Sequence, residues 1–309
     1  MKDLIIIGSG PAGLSAAVYG KRAGLDLCVV EKSPMSGGQI LNTYEVDNYL
    51  GMPGMGGFEM GMQFRDHADR MNVEFLDAEV IGMEAVEKDA DSAASYKVHT
   101  TEGVLEAKTI LLATGAVHAH LGVLGEEEFS GRGVSYCATC DGAFFRGKTV
   151  AVVGGGDVAL EDAIYLARFC RKVFLIHRRD ELRGAKILQE ELMSKENVEI
   201  LYSHTVQEIR GTDLVTGVLL NDVKTGAVKE LALDGVFVAV GIIPNTGLVN
   251  ELVACDEGGY VIAGEDCVTD VPGIFVAGDA RKKPLRQIVT AVADGANAVT
   301  SISAYLARK

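Results

Sequence analysis

One order of elements occurs twice in this chain at one spacing, and that repeat limits the fold more than any other feature. Near the N-terminus "DLIII" is a continuous apolar run, as expected of a strand buried on both faces. "GSGPAG", Gly8 to Gly13, follows it. "LSAAVYGKRAG" then has Leu14, Ala17 and Val18 at helical spacing, with Gly24 as a stop signal. "LDLCVVE" reads as a second strand that ends in Glu31. The order returns from Lys148 as the strand "KTVAVV", the turn "GGGDVA" and the helix "LEDAIYLARFC", with Leu160, Ile164 and Ala167 in register. The strand "RKVFLIHRR" completes it. Gly13 to Glu31 spans 18 residues, and Ala159 to His177 also spans 18.

A second echo supports two units. "TILLATGA" (109–116) and "DGVFVAVGI" (234–242) are apolar strands that end in a glycine, each expected beside the first strand of its own sheet. A third such run, "GIFVAGDA" (273–280), has no sheet of its own and is assigned to the first unit. The chain is then expected to leave that unit near Gly115, build the second, and return near Asn245 through "GIIPNTG". The predicted class is α/β, with two Rossmann-like dinucleotide-binding domains, the second inserted in the first. The expected boundaries are 1–115, 116–244 and 245–309. Residues 80–107 and 206–233 alternate short strand-like runs with turns, and each is expected to form a small antiparallel layer on its sheet.

Among 309 residues, 48% are hydrophobic, enough for a sizeable core. A net charge of -14 argues against nucleic acid or an anionic membrane as partner, since phosphates would be repelled. Anionic cofactors remain admissible, because local donors hold them. No apolar run approaches the roughly 18 residues of a bilayer span. The start of the chain lacks the features of a signal peptide, so a cytoplasmic protein is expected. Of the six cysteines, Cys28, Cys170, Cys255 and Cys267 are scattered and read as ordinary thiols.

The glycine turns gain meaning from their context, between a buried strand and a helix. Gly8 permits the tight turn, Gly10 lets the backbone approach a pyrophosphate, and Gly13 lets helix and strand pack closely. The helix N-terminus offers N–H groups to the phosphates. Glu31 is placed to accept hydrogen bonds from both hydroxyls of an adenosine ribose. The second turn has Gly154, Gly156 and Ala159 but no acid at its strand end. "HRRDELRG" stands there instead, with His177, Arg178, Arg179 and Arg183. Guanidinium groups bind a 2′-phosphate that a carboxylate would repel, so this site is expected to prefer NADPH to NADH. A solvated basic loop is the competing reading. One unmodified dinucleotide plus NADPH suggests a flavoprotein that binds FAD.

Cys137-Ala-Thr-Cys140 admits four readings. Zinc would want a second CxxC or nearby histidines, and the chain has only His118-Ala-His120, read as surface residues; no metal is expected. A structural disulfide, two idle thiols and a redox-active pair are the others. The spacing permits a small strained ring that is easily reduced, and a helix opening at the pair would stabilise a thiolate. Asp141 adjoins the pair and is placed to exchange a proton with it.

The strings "GSGPAGLSAA", "GGQI", "ATGA", "CATCDGAFF", "GGGDVALEDA", "HRRDELRGAK", "VAVGIIPNT", "VAGDA" and "LRQIVTAVADGANA" occur in the order seen in one family. Over essentially its whole length the chain resembles a bacterial-type low-molecular-weight thioredoxin reductase. The resemblance implies a homodimer whose NADPH domain is inserted in its FAD domain. It implies FAD contacts at Gly8, Gly10, Pro11, Ala12, Gly13, Glu31, Gly38, Gln39, Asn48 and Gly115. Further FAD contacts are implied at Gly278, Asp279, Arg286, Gln287 and Ile288. NADPH contacts are implied at Gly154, Gly156, Asp157, His177, Arg178, Arg179 and Arg183. By the same likeness Cys140 faces the flavin, Cys137 attacks the disulfide of thioredoxin, and Asp141 is the acid/base. One domain is expected to rotate against the other about linkers near Gly115–Ala116 and Pro244–Asn245.

The chain also departs from the family pattern. Asp157 and Val158 replace small polar residues, and an acid at Asp157 is unfavourable near phosphate unless it caps its helix. "HAHLGVLGEEE" is less typical, and Glu126–Glu128 is expected to be a solvated turn. Three functions compete: an NADPH-dependent thioredoxin reductase, a flavin-dependent reductase with another protein disulfide or a ferredoxin donor, and a flavin-bearing redox sensor.

Overall fold

The computed structural model describes residues 1–43, 46–86 and 95–308, with the side chain of Asn42 excepted. The chain divides into two compact units: Met1–Val117 with Ile243–Lys309, and His118–Ile242.

The first unit begins β1 (Lys2–Ile7), α1 (Pro11–Arg22), β2 (Leu27–Glu31), α2 (Gly57–Arg70) and β3 (Glu74–Asp77). It continues β4 (Val80–Val86), β5 (Ser95–Thr100) and β6 (Gly103–Leu112), then leaves through β7 (Ala116–His118). Pro11 opens α1, where its missing N–H costs nothing. The repeat "DLIII…LDLCVVE" becomes a parallel pair, with Leu4 opposite Leu27 and Ile7 opposite Val30. Leu4, Ile5 and Ile6 are fully buried, because helices cover one face of the sheet and loops with β-strands cover the other. Each such side chain contributes about 1.5–3 kcal/mol by leaving water.

The second unit runs β8 (Val134–Ser135), α3 (Ala138–Asp141), β9 (Thr149–Gly154), α4 (Asp157–Ala167) and β10 (Lys172–His177). Then come α5 (Lys186–Met193), β11 (Val198–Tyr202), β12 (His204–Gly211), β13 (Val215–Asp222), β14 (Val228–Ala232) and β15 (Gly235–Ala239). Its parallel sheet has the order β11-β10-β9-β15-β8. The chain returns through β16 (Ile242–Pro244), which pairs with β7, and ends with β17 (Ile274–Val276) and α6 (Ile288–Ala307).

"GIFVAGDA" does join the first sheet: β17 lies parallel to β6, with Ile274 opposite Ile110. The antiparallel layers divide. Strands β12, β13 and β14 form a separate sheet, as expected, but β4 and β5 are continuous with the first parallel sheet. The cause is the ten-residue length of β6. Its first half pairs antiparallel with β5, and its second half lies parallel to β1 and β17.

Candidate active site

In the first unit the glycines of the opening turn divide their work. A Cβ at Gly13 would stand 1.9 Å from the Gly8 carbonyl oxygen, and one at Gly8 would stand 2.5 Å from the Ala113 oxygen. Both positions are closed by packing. A Cβ at Gly10 would meet nothing within 4 Å, so the backbone there fronts open space. Glu31 folds back onto this turn. Its Oε2 accepts the Ser9 N–H and hydroxyl, each at 2.7 Å, and its Oε1 accepts the Ser33 N–H at 2.9 Å.

Distant segments converge on the same turn. The Gly37 N–H donates to the Ser9 oxygen at 2.9 Å, and a Cβ at Gly38 would lie 3.3 Å from the Gly10 Cα. A Cβ at Gly278 would lie 2.9 Å from the Ala12 Cβ. Asn48 Nδ2 donates to Gln287 Oε1 at 2.9 Å, just ahead of Ile288, where α6 starts. "LRQI" therefore does open the last helix. Gln39 donates to the Ala116 carbonyl, beside Gly115.

Two buried atoms in this group lack hydrogen-bond partners, Asp279 Oδ1 and Arg286 Nε. Lys283 Nζ stands 3.4 Å from Asp279 Oδ1, an ion pair without hydrogen-bond geometry. Burial pushes the Asp279 carboxyl above the usual range, and Lys283 opposes it. The Arg286 guanidinium lies over the Tyr260 ring at 4.0 Å. An open glycine, a carboxylate at the strand end and two orphaned polar atoms together fit a dinucleotide with a polar linker. With φ at -70° and no atom within 4 Å of a Cβ, Gly10 has neither a strained backbone nor a packing contact to require glycine, which leaves close approach of a phosphate as its reason.

Sequence reasoning missed what holds the Asp279 loop. Asp294, 4% exposed, accepts the Gly278 N–H at 3.0 Å and pairs with Arg281 at 2.8 Å and Lys283 at 3.1 Å. Arg281 and Lys283 carry charge that nothing local in the sequence buries, and the docking of α6 covers them.

The second unit repeats the glycine logic. Gly154 is closed, its Cβ meeting the Ala239 oxygen at 2.4 Å, whereas Gly156 is open. The basic segment closes over this turn, with the Arg183 N–H donating to the Gly155 oxygen at 2.7 Å. A cleft of about 310 Å³ is lined by Arg178, Arg179, Arg183, Ser203 and Lys224, among others. Among the described residues, Arg178, Arg179 and Arg183 make no ion pair. Lys224 pairs with Asp180 at 3.3 Å and was not foreseen, because "NDVKTG" reads as an ordinary hairpin turn.

Several expectations are corrected here. His177 is not a cation of the cleft: its ring is buried under Gly155, and burial lowers its pKa below 6.5, with Arg183 and Arg179 adding to the effect. Asp157 does not cap its own helix. Its Oδ1 accepts the Ala185 N–H at 2.7 Å and so pins the start of α5 and the basic segment. Glu126 is not solvated but 3% exposed, accepting the Leu121 and Gly122 N–H groups and the Tyr136 hydroxyl. His118 and His120 do lie at the surface as expected, His118 half-exposed and His120 exposed, and both pack on the Tyr136 ring.

Cys137 and Cys140 are joined in a disulfide with Cα atoms 5.3 Å apart, and Cys137 immediately precedes α3. The other four cysteines are free. Asp141 ends α3. Burial pushes its carboxyl above 3.8, and a hydrogen bond from Ser135 opposes that shift. Ser135 Oγ donates to Asp141 Oδ2 at 2.6 Å and accepts the Cys137 N–H at 3.1 Å. Among the described residues no cluster of three His, Cys, Asp or Glu side chains is placed to hold a metal ion. No helix among them is long and apolar enough to cross a membrane.

Two nucleotide-type units and a vicinal disulfide define a redox protein that works between nucleotides and sulfur. The chain belongs to the pyridine nucleotide-disulphide oxidoreductase family, whose model matches residues 2–295. Thioredoxin reductase from Bacillus subtilis is 42% identical over 98% of this chain and 94% of its own length. The crystal structure of thioredoxin reductase from Streptococcus pyogenes matches with a TM-score of 0.93 and 44% identity, covering 100% of this chain and 99% of that one. A ferredoxin-flavin thioredoxin reductase from Clostridium acetobutylicum matches with a TM-score of 0.53 and 30% identity over 100% and 99% of the two chains.

Proposed function

We propose that this protein is an NADPH-dependent flavoenzyme that reduces the disulfide of thioredoxin. The observation that carries the reading is the Cys137–Cys140 disulfide at the start of a short helix, in the unit that also holds the unpaired guanidinium cluster. In this reading residues 1–115 and 245–309 bind FAD, and residues 116–244 bind NADPH. The enzyme works as a cytoplasmic homodimer.

The turn at Gly8–Gly13, Glu31, Asp279, Arg286 and the α6 N-terminus would hold FAD. Gly154, Gly156 and the cleft of Arg178, Arg179 and Arg183 would hold NADPH, with Asp157 and His177 fixing the segment that carries those arginines. Bound FAD supplies the two-electron link between NADPH and the disulfide.

The chain's own residues perform the rest. In the reduced pair Cys137 gives its proton to Asp141 and attacks one sulfur of the thioredoxin disulfide. That bond breaks, a mixed disulfide forms, and Asp141 passes its proton to the departing sulfur. Cys140 then loses its proton and attacks Cys137 Sγ. The second thioredoxin sulfur leaves and takes that proton. One enzyme dithiol has become a disulfide, and one thioredoxin disulfide has become a dithiol.

A ferredoxin donor is the second reading, favoured by the likeness to the Clostridium acetobutylicum protein. The unpaired arginines support NADPH over it. Turnover of one thioredoxin with NADPH, NADH and reduced ferredoxin as competing donors tests the choice, and NADPH is expected to dominate. Cys137→Ser and Cys140→Ser are each expected to abolish thioredoxin reduction while NADPH still reduces an artificial acceptor. Turnover by ferredoxin alone, or thioredoxin reduction by either variant, would overturn the proposal.

A further inference from the structure

We propose that Ser135 is a positioning residue of the redox centre, its one hydroxyl joining the Asp141 carboxylate to the backbone of Cys137. The inference rests on the acid/base reading of Asp141. A hydroxyl has one donor and two acceptor sites, so donation to Asp141 Oδ2 at 2.6 Å and acceptance from the Cys137 N–H at 3.1 Å coexist on one oxygen. That oxygen is well anchored. Ser135 is 5% exposed and lies on β8, opposite Phe237 of β15. The sulfur that attacks and the carboxyl that carries its proton therefore share one fixed point.

The surroundings leave this task to Ser135. Of the segments packed near α3, β15 and residues 142–145 carry no ionisable side chain. The neighbouring helix α4 carries Asp157, Glu161, Asp162 and Tyr165. None of these bears on Asp141, whose proton affinity is raised by burial and lowered by Ser135 alone. A hydroxyl that donates to a carboxylate favours its ionised form. Without it, Asp141 keeps its proton to higher pH, so the ionised form that accepts the Cys137 proton is populated only at higher pH.

The test follows the FAD-loaded enzyme through the infrared C=O band of protonated Asp141, identified by its loss in Asp141→Asn, and through the pH profile of thioredoxin turnover. In Ser135→Ala the band is expected to titrate about one pH unit higher, and the acidic limb of kcat to move with it. NADPH reduction of an artificial acceptor should keep its rate. Ser135→Thr retains the hydroxyl and should restore both midpoints. Ser135→Cys, a weaker donor of similar size, should give a smaller shift in the same direction and keeps the question open to test if the alanine variant does not fold. Unmoved midpoints in Ser135→Ala or Ser135→Cys, with a limb that Asp141→Asn abolishes, overturn the role of Ser135 alone. A limb that survives in Asp141→Asn removes the acid/base reading, and the proposal with it.

Discussion

Arg178, Arg179 and Arg183 carry charge that no carboxylate among the described residues pairs with, although the chain as a whole bears -14. Around the cleft the three arginines and Lys224 outnumber Asp180 and Glu181, and an anionic ligand would relieve the remaining repulsion. A charged hydrogen bond contributes about 1.5–3 kcal/mol. Arg178→Ala with Arg179→Ala is therefore expected to raise the NADPH KM by roughly 10²-fold or more, with little change for NADH. Steady-state kinetics with both donors checks this, and equal effects on the two would remove the 2′-phosphate role. His177 belongs to another class despite its place in the same string, since a buried neutral imidazole supports the loop without adding charge.

At the scale of elements, the first turn of α1 is held against the preceding loop by a backbone contact that admits only glycine. A Cβ at Gly13 would lie inside the Gly8 carbonyl, and neither strand nor helix can withdraw, because β1 is buried between β2 and β6. Gly10 meets no such obstacle. Gly13→Ala is expected to destabilise the fold by about 3 kcal/mol or more, as for other backbone overpacking. Gly10→Ala should fold with a near-normal melting temperature but retain FAD poorly, because its methyl group would stand where a pyrophosphate is expected. Thermal melts of the flavin-free proteins beside flavin retention on gel filtration separate the two effects. A Gly10→Ala protein that keeps its full flavin content would contradict the assignment. The helix α6 depends on similar closeness. A Cβ at Gly295 would lie 2.3 Å from the Ala12 oxygen, and that tight docking carries Asp294 to the "GDARKK" loop.

For the whole molecule, partly buried carboxyls give stability a definite pH dependence. Burial, helped by Glu161, pushes Asp162 up to about 7, and burial also raises Asp141 and Asp279. A raised carboxyl binds more protons in the folded state than in the unfolded one. Its contribution to stability is therefore greatest below the unfolded value near 3.8 and declines as pH rises toward the folded value. For Asp162 the decline amounts to at most about 4 kcal/mol between pH 4 and 7. Asp162→Asn is expected to flatten the fall of the urea midpoint over that range and to leave the variant the more stable at pH 8. Parallel curves for the two proteins would show that Asp162 is hydrated and ordinary.

The repeated strand–glycine–helix–strand order, its matching spacing and the CxxC pair were legible in the sequence because each is local. Backbone geometry at a tight turn admits few residue types, and buried parallel strands need unbroken apolar runs. Membership of β17 in the first sheet was legible too, since an apolar strand without a sheet must find one. The roles of Asp157, Glu126, His177 and Ser135 were not legible. Asp157 and His177 act through partners far off in sequence, the amide ahead of α5 and the turn at Gly155. Glu126 and Ser135 act through nearby groups, the amides at Leu121 and Gly122 and the carboxyl at the end of α3, that only the folded loop turns toward them. A polar residue reads as solvated until tertiary packing removes the water. Burial then makes its hydrogen-bond partner, and not its type, decide what it does.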